Sequence, residues 1–373
     1  MKLERENSIR DPYKVIVWGP GNMGQIAIYE IMQSPAFELV GVYCYSATKK
    51  GKDAGELIGL DKTGVTISND ANAVMAIDCD VIVYTAHDDG NFQTDGELVN
   101  LLAAGKNVVT PLPYQNLDLW REPDFVEKVE VACRQGKSVL HGSGIDPDLF
   151  SDRLMLALTG GCADIQSIRL LEIWDSTSAP EFAAREAGFG MMPKEADKIM
   201  QTKRIAINFF TAVSRTVEKV LNIKYDRIET SHEFLPTPKD ITEPYLIEKG
   251  QVAHLLHRME CYVDAVGSQP FFTIEGHWCF GNDMLPEGVQ PGQYYIAEIE
   301  GRPSLRLALD VKTSLDGKER FYHVGNMVVD PIYLATIVPC LQAIPHICAA
   351  EPGILPSFGP TLNWMPDLRA SVF

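Results

Sequence analysis

The chain has 373 residues, 46% hydrophobic and 22% charged, a balance that excludes disordered, collagen-like and mucin-like proteins. At about 150 residues per domain this length predicts two domains. Acidic residues outnumber basic ones 50 to 33, and the net charge of −17 argues against nucleic acid and anionic membranes as partners, while leaving room for a locally positive pocket.

The N-terminus, MKLERENSIRDPYK, is charged and has no apolar signal core. No run of about 18 consecutive apolar residues occurs, so no membrane span is expected. The eight cysteines show no C-x-x-C spacing, which predicts reduced thiols in a cytoplasmic protein and no metal site.

Residues 14–18 (KVIVW) form a short apolar run, followed at once by 19–24 (GPGNMG) and a helical stretch over 26–33. Residues 37–45 (FELVGVYCY) read as a second strand and 80–86 (DVIVYTA) as a third, buried on both faces of a sheet. A helix over 97–104 ends at Gly105, a strand over 107–110 stops at Pro111, and a helix over 125–135 precedes a strand at 138–140. This β-α-β order predicts an α/β fold with a Rossmann-type, doubly wound parallel sheet. Beyond Gly144 the pattern changes. Long strands are expected over 165–174 and 251–266, further strands over 270–279, 293–300 and 304–313, and one long helix over 194–220. These elements predict a second, α+β domain with an open, mostly antiparallel sheet. Helical periodicity returns over 332–350. The expected division is 1–144, 145–330, and 331–373 as a terminal helix and tail returning to the first domain.

The strongest motif is Gly19-Pro20-Gly21-Asn22-Met23-Gly24, a G-x-G-x-x-G between a strand and a helix in the first βα turn. Gly19 permits the tight turn, Gly21 lets the backbone approach a pyrophosphate, Gly24 allows close helix–strand packing, and the helix N-terminus offers free N–H groups. The motif predicts a domain that binds NAD or NADP. The second strand ends CYSATKK, with no acid until Asp53 to bind ribose hydroxyls. Ser46, Thr48 and Lys49–Lys50 suit a 2′-phosphate better, so NADP is preferred and NAD remains an option. Thr85 and Ala86, at the end of the third strand, are expected beside the nicotinamide. A second glycine constellation, HGSGIDP at 141–147, opens the next helix, and Gly144 is a further cofactor-binding candidate.

These motifs resemble the dihydrodipicolinate reductase-like family, in particular its 2,4-diaminopentanoate dehydrogenases and native amine dehydrogenases. The resemblance spans nearly the whole chain, through VIVWGPGNMG, LVGVYCYSATKKGKDAGELIG, HGSGIDPDLFSDRL, EAGFGMMP, IEGRPSLRL and AIPHICAAEPGI. It implies an NAD(P)H-dependent oxidoreductase passing hydride between nicotinamide and a small-molecule amine, imine or carbonyl. It also implies a homodimer whose second-domain sheets meet. The amine dehydrogenases of this group carry a glutamate after the fourth strand. Here that segment reads TPLPYQN and holds no acid before Asp118.

Three groups are candidates for the missing acid–base role. Tyr114 could donate a proton, or pack beneath a loop. Glu172, with Asp175, flanks Trp174 where a long strand enters the DSTSAPE loop, or else marks a solvated strand end. Asp146, in the second glycine segment, sits where the resembled family tends to have a neutral polar residue, or else caps a helix. His254 and His257 lie three apart on a strand, on opposite faces, which argues against a metal pair. Arg302 and Arg306, four apart on a strand, would share a face and could hold a carboxylate, or else mark an exposed strand edge or a dimer-interface ion pair. Trp174, Phe189, Met191 and Met192 are expected to line an apolar pocket, with the G-F-G loop as a closing element. The expected function is reduction of an imine or carbonyl, or the reverse. The alternatives are an alcohol or hydroxy-acid dehydrogenase and a non-catalytic NADP-binding sensor.

Overall fold

The computed structural model describes residues 11–357, apart from 180, 201–203, 317, 319–321 and 326. The N-terminal decapeptide and the tail 358–373 of the third expected segment lie outside the described residues.

The first half alternates strands and helices: β1 (Tyr13–Trp18), α1 (Asn22–Gln33), β2 (Phe37–Tyr43), the short α2 (Ala54–Leu57) and α3 (Ala71–Met75), β3 (Val81–Tyr84), α4 (Asp95–Ala103), β4 (Val108–Thr110), α5 (Pro123–Gly136) and β5 (Val139–Gly142). The strands are all parallel, in the order β2-β1-β3-β4-β5, extended at the far edge by β14 (Gly353–Leu355). Alternation explains the three layers. Val15, Val17, Val83 and Val109 pack with α1 on one face, while Ile16, Trp18, Ile82 and Val108 pack with α4 and α5 on the other. The strand order reverses between β1 and β3, so a crevice opens at their carboxyl ends, where open α/β sheets take their ligands.

The remaining elements are α6 (Leu156–Thr159), β6 (Asp164–Asp175), α7 (Glu181–Ala187), α8 (Pro193–Met200), α9 (Ile205–Val220), β7 (Arg227–Pro236), β8 (Val252–Tyr262), β9 (Phe272–Cys279), β10 (Gln293–Arg302), β11 (Leu305–Asp310), the ribbon β12 (Tyr322–Val324) and β13 (Met327–Val329), and α10 (Pro331–Ala349). The second sheet runs β11-β10-β6-β9-β8-β7 and is antiparallel except between β6 and β9. Its inner face packs against α9 through Ile168, Leu170, Ile274 and Phe210. α10 returns to the first sheet and packs on α1 and on β3 to β5. By length and composition α10 could cross a membrane, and eight of its residues are buried in this packing.

Three expectations are corrected. The helix expected over 194–220 is two helices, because Arg204 leaves helical geometry (φ −118°, ψ 4°) before α9; residues 201–203 of that span lie outside the described residues. The strand β7 was not expected, since RIETSHEFLP is largely polar and forms the sheet edge. Arg302 and Arg306 do not share a strand. A turn separates them, and Arg306 pairs across the hairpin with Glu298 (Nε–O 3.1 Å).

Candidate active site

The glycine turn is built as the motif predicts. Gly19 has φ +95°, and a Cβ there would meet Ala86 N at 2.9 Å. A Cβ on Gly24 would fall 2.3 Å from Gly19 O and 2.8 Å from Thr85 Oγ1, so α1 can pack this closely only through glycine. Gly21, the N-cap of α1, has nothing within 4 Å of its Cβ position and no side-chain cap. This open cradle at a helix N-terminus fits a pyrophosphate. It lies in a groove of about 610 Å³ whose wall includes Gly19, Asn22, Met23, Ser46, Lys49, Thr85 and Ala86. Thr85 Oγ1 donates to Gly19 O (2.7 Å) and ties the end of β3 to the turn. Together these residues fit a nicotinamide dinucleotide.

A second space of about 340 Å³ adjoins this groove, and Met23, Thr85, Ala86, Trp174 and Tyr333 border both. Seven aromatic residues line it: Trp174 and Trp278 (ring centroids 5.6 Å apart at 90°), Phe209, Phe210, Tyr294, Tyr295 and Tyr333. Its two ionisable carboxyls belong to Asp146 and Glu172, and among its described lining residues there is no Lys, Arg or His. Pro111 and Leu112 occupy the wall contributed by the segment after β4.

Glu172 sits on β6 in phase with Ile168 and Leu170, which belong to the inner core. It therefore points where an apolar residue would normally go. Its cross-strand neighbours are Tyr295 on β10 and Gly276 on β9. It is partly buried, and the rest of its surface faces the cavity. Burial pushes its carboxyl up to about 8; the nearby Asp146 adds to the rise and a hydrogen bond from Trp278 opposes it. Asp146 is pushed up by burial to about 6, and its Oδ1 has no hydrogen-bond partner among the described residues. Two carboxyls both raised by burial in one cleft, one acting on the other, form an arrangement suited to proton transfer.

Other expected residues lie elsewhere. Tyr114 does not line the cavity. Its buried hydroxyl donates to Asp95 Oδ1 (2.6 Å) and lies 2.8 Å from Thr94 Oγ1, and Asp95 is ion-paired with Arg121. Thr48 and Lys50 are exposed beside the groove without lining it. Lys49 faces the groove instead and donates to Pro20 O (2.5 Å). Gly144 lines neither space and pairs with Asp148 in an isolated bridge; its neighbours Ile145 and Asp146 reach the cavity. Asp146 does not cap the following helical turn, whose N-cap position is Asp148. Asp175 caps a short turn, accepting from Thr177 N (3.1 Å). Phe189 and Met191 of the G-F-G loop pack with Phe280 in a separate core, and Met192 is exposed. His254 pairs with His277 and His257 with His232, and no metal-binding cluster occurs among the described residues. The aromatic wall from α9, β10 and α10 was not foreseen.

Comparison with known proteins fits this geometry. Residues 13–108 match the N-terminal domain of dihydrodipicolinate reductase, and residues 149–359 match the 2,4-diaminopentanoate dehydrogenase C-terminal domain. An amine dehydrogenase of Streptomyces virginiae is 29% identical over 91% of this chain and 93% of its own. The 2,4-diaminopentanoate dehydrogenase of Acetoanaerobium sticklandii is 24% identical, covering 91% of each chain. The structure of an amine dehydrogenase from Mycobacterium smegmatis superposes with a TM-score of 0.74 at 21% identity, over 95% of this chain and 98% of that one, and shares the fold. With more than half of its length matched by the C-terminal domain model, the chain belongs to the 2,4-diaminopentanoate dehydrogenase family of oxidoreductases.

Proposed function

We propose that the protein is an NAD(P)H-dependent oxidoreductase that interconverts an apolar, carboxylate-free amine and its imine or carbonyl counterpart, with Glu172 and Asp146 handling the proton and the charge. The observation that carries this reading is the pair of enclosed carboxyls in an aromatic cavity that shares its walls with the dinucleotide groove. A dinucleotide held in that groove supplies or accepts the hydride. The chain's own residues do the rest. In the oxidative direction ionised Glu172 takes a proton from the substrate ammonium, leaving the free amine whose carbon can lose hydride. The charge of Asp146, which already acts on Glu172, stabilises the iminium that forms. In the reductive direction Glu172 returns the proton to nitrogen. The aromatic walls exclude water and lend their π-faces to the cation.

None of the described lining residues is basic, which supports a carboxylate-free substrate class. A carboxylate brought beside Asp146 would face a like charge, with no cation among the described lining residues to pair it. Lys49 and Ser46 on the groove wall support a preference for NADP. A homodimer is the assembly that the family resemblance implies.

The test is NADPH oxidation with an apolar ketone plus ammonium, NADP⁺ reduction with the matching amine, and the same with an α-amino acid and with the matching alcohol. Turnover of the carboxylate-free amine pair, without the amino acid, is expected. Turnover of the alcohol alone would favour an alcohol dehydrogenase. Cofactor binding with no turnover on the panel would favour a sensor.

A further inference from the structure

Helix α7 follows β6 of the second sheet, yet Phe182, Ala183 and Glu186 line the groove opened by the glycine turn of the first. These positions share one helical face, since residues three and four apart project together. The rest of the helix is anchored. Ala184 is buried, and Arg185 pairs with Glu181 (3.1 Å) and donates to Leu246 O (2.9 Å). Phe182 is thus held on a fixed helix with 69% of its surface exposed. Lining a groove, such a ring leaves apolar area in water that the flat face of a planar heterocycle would cover. Gly21, on the wall of the same groove, has nothing within 4 Å of its Cβ position.

We infer that α7 is a clamp on the cofactor: Phe182 lays its ring on the bound dinucleotide, which is held between this helix and the glycine turn. Phe182 is then a cofactor-binding residue supplied from outside the dinucleotide-binding sheet. Ala183 allows the approach, since a larger side chain at that position would project into the groove.

Titration of the cofactor-free protein with NADPH and with NADP⁺, by calorimetry or nucleotide fluorescence, tests this without any turnover. Phe182→Ala is expected to weaken binding of both forms by about tenfold. Phe182→Tyr is expected to restore it to within about twofold, because the aromatic face is kept. The melting midpoint of the cofactor-free protein should not move, as the ring is exposed. Unchanged affinity in Phe182→Ala, or a loss of affinity matched by a lower cofactor-free midpoint, would overturn the clamp and leave the proposed function standing. Failure of the unsubstituted protein to bind either nucleotide would overturn both.

Discussion

Replacing Glu172 by Gln keeps the shape of the side chain and removes its titration. General acid–base catalysis contributes about 10²–10⁴-fold to rate, so kcat for amine oxidation should fall by about that factor, roughly 3–5 kcal/mol of barrier. The pH dependence carries the sharper signal. Oxidation needs Glu172 ionised, so its rate should rise as pH passes through about 8; reduction needs the protonated form and should fall through the same value. Both steps should vanish in Glu172→Gln. Stability should move in the opposite sense to a usual carboxylate. The folded value is raised from 4.5 to about 8, so the favourable contribution is complete below 4.5 and is lost as pH rises toward 8. The interval corresponds to roughly 5 kcal/mol; with the cavity-facing edge of the carboxyl reachable by water, about 2–4 kcal/mol is expected. Melting curves of both proteins from pH 5 to 9 should therefore diverge, the Gln variant gaining relative stability with pH. Undiminished kcat with a pH step still near 8 would refute the acid–base role of Glu172.

Three further outcomes follow from the same geometry. Asp146→Asn removes the charge that helps raise Glu172, so the step near 8 should shift to lower pH in a pH–rate profile, with kcat reduced about tenfold or more through lost iminium stabilisation. Tyr114→Phe should leave kcat within about twofold and lower stability by about 1–2 kcal/mol in denaturant melts, because Asp95 and Thr94 lose a buried partner. Lys49→Ala should weaken NADPH more than NADH in direct titrations, by about tenfold in the ratio.

The cofactor half was legible because its signals are local. The glycine turn, the apolar strands around it and the C-terminal helix are each read within about a dozen residues, and Gly24 shows why the motif needs glycine. The site itself was only partly legible. Glu172 announces itself as a carboxyl at a core phase of β6, between apolar neighbours. The aromatic wall does not, because Phe209, Phe210, Tyr294, Tyr295 and Tyr333 come from α9, β10 and α10 and meet only through long-range packing; each is an ordinary core residue in its own segment. Phe189 misleads for the converse reason, since glycines at 188 and 190 resemble a mobile loop but serve positive φ angles (113° and 72°) beside a closed core. Tyr114 follows the fourth strand, where a proton donor would be sought. Its hydroxyl is spent on Asp95, a partner nineteen residues away on α4. Lys49 and Lys50 cannot be told apart in sequence, and the fold turns the first toward the groove.

The central claim is that the carboxyls of Glu172 and Asp146 receive the substrate nitrogen beside the nicotinamide. A crystal structure of the protein with NADP⁺ and an apolar amine tests it most directly. The amine nitrogen should lie within hydrogen-bond reach of Glu172, about 2.6–3.2 Å, with Asp146 beside it and the aromatic residues around the carbon skeleton. An amine nitrogen turned away from both carboxyls, or bound outside this cavity, would contradict it.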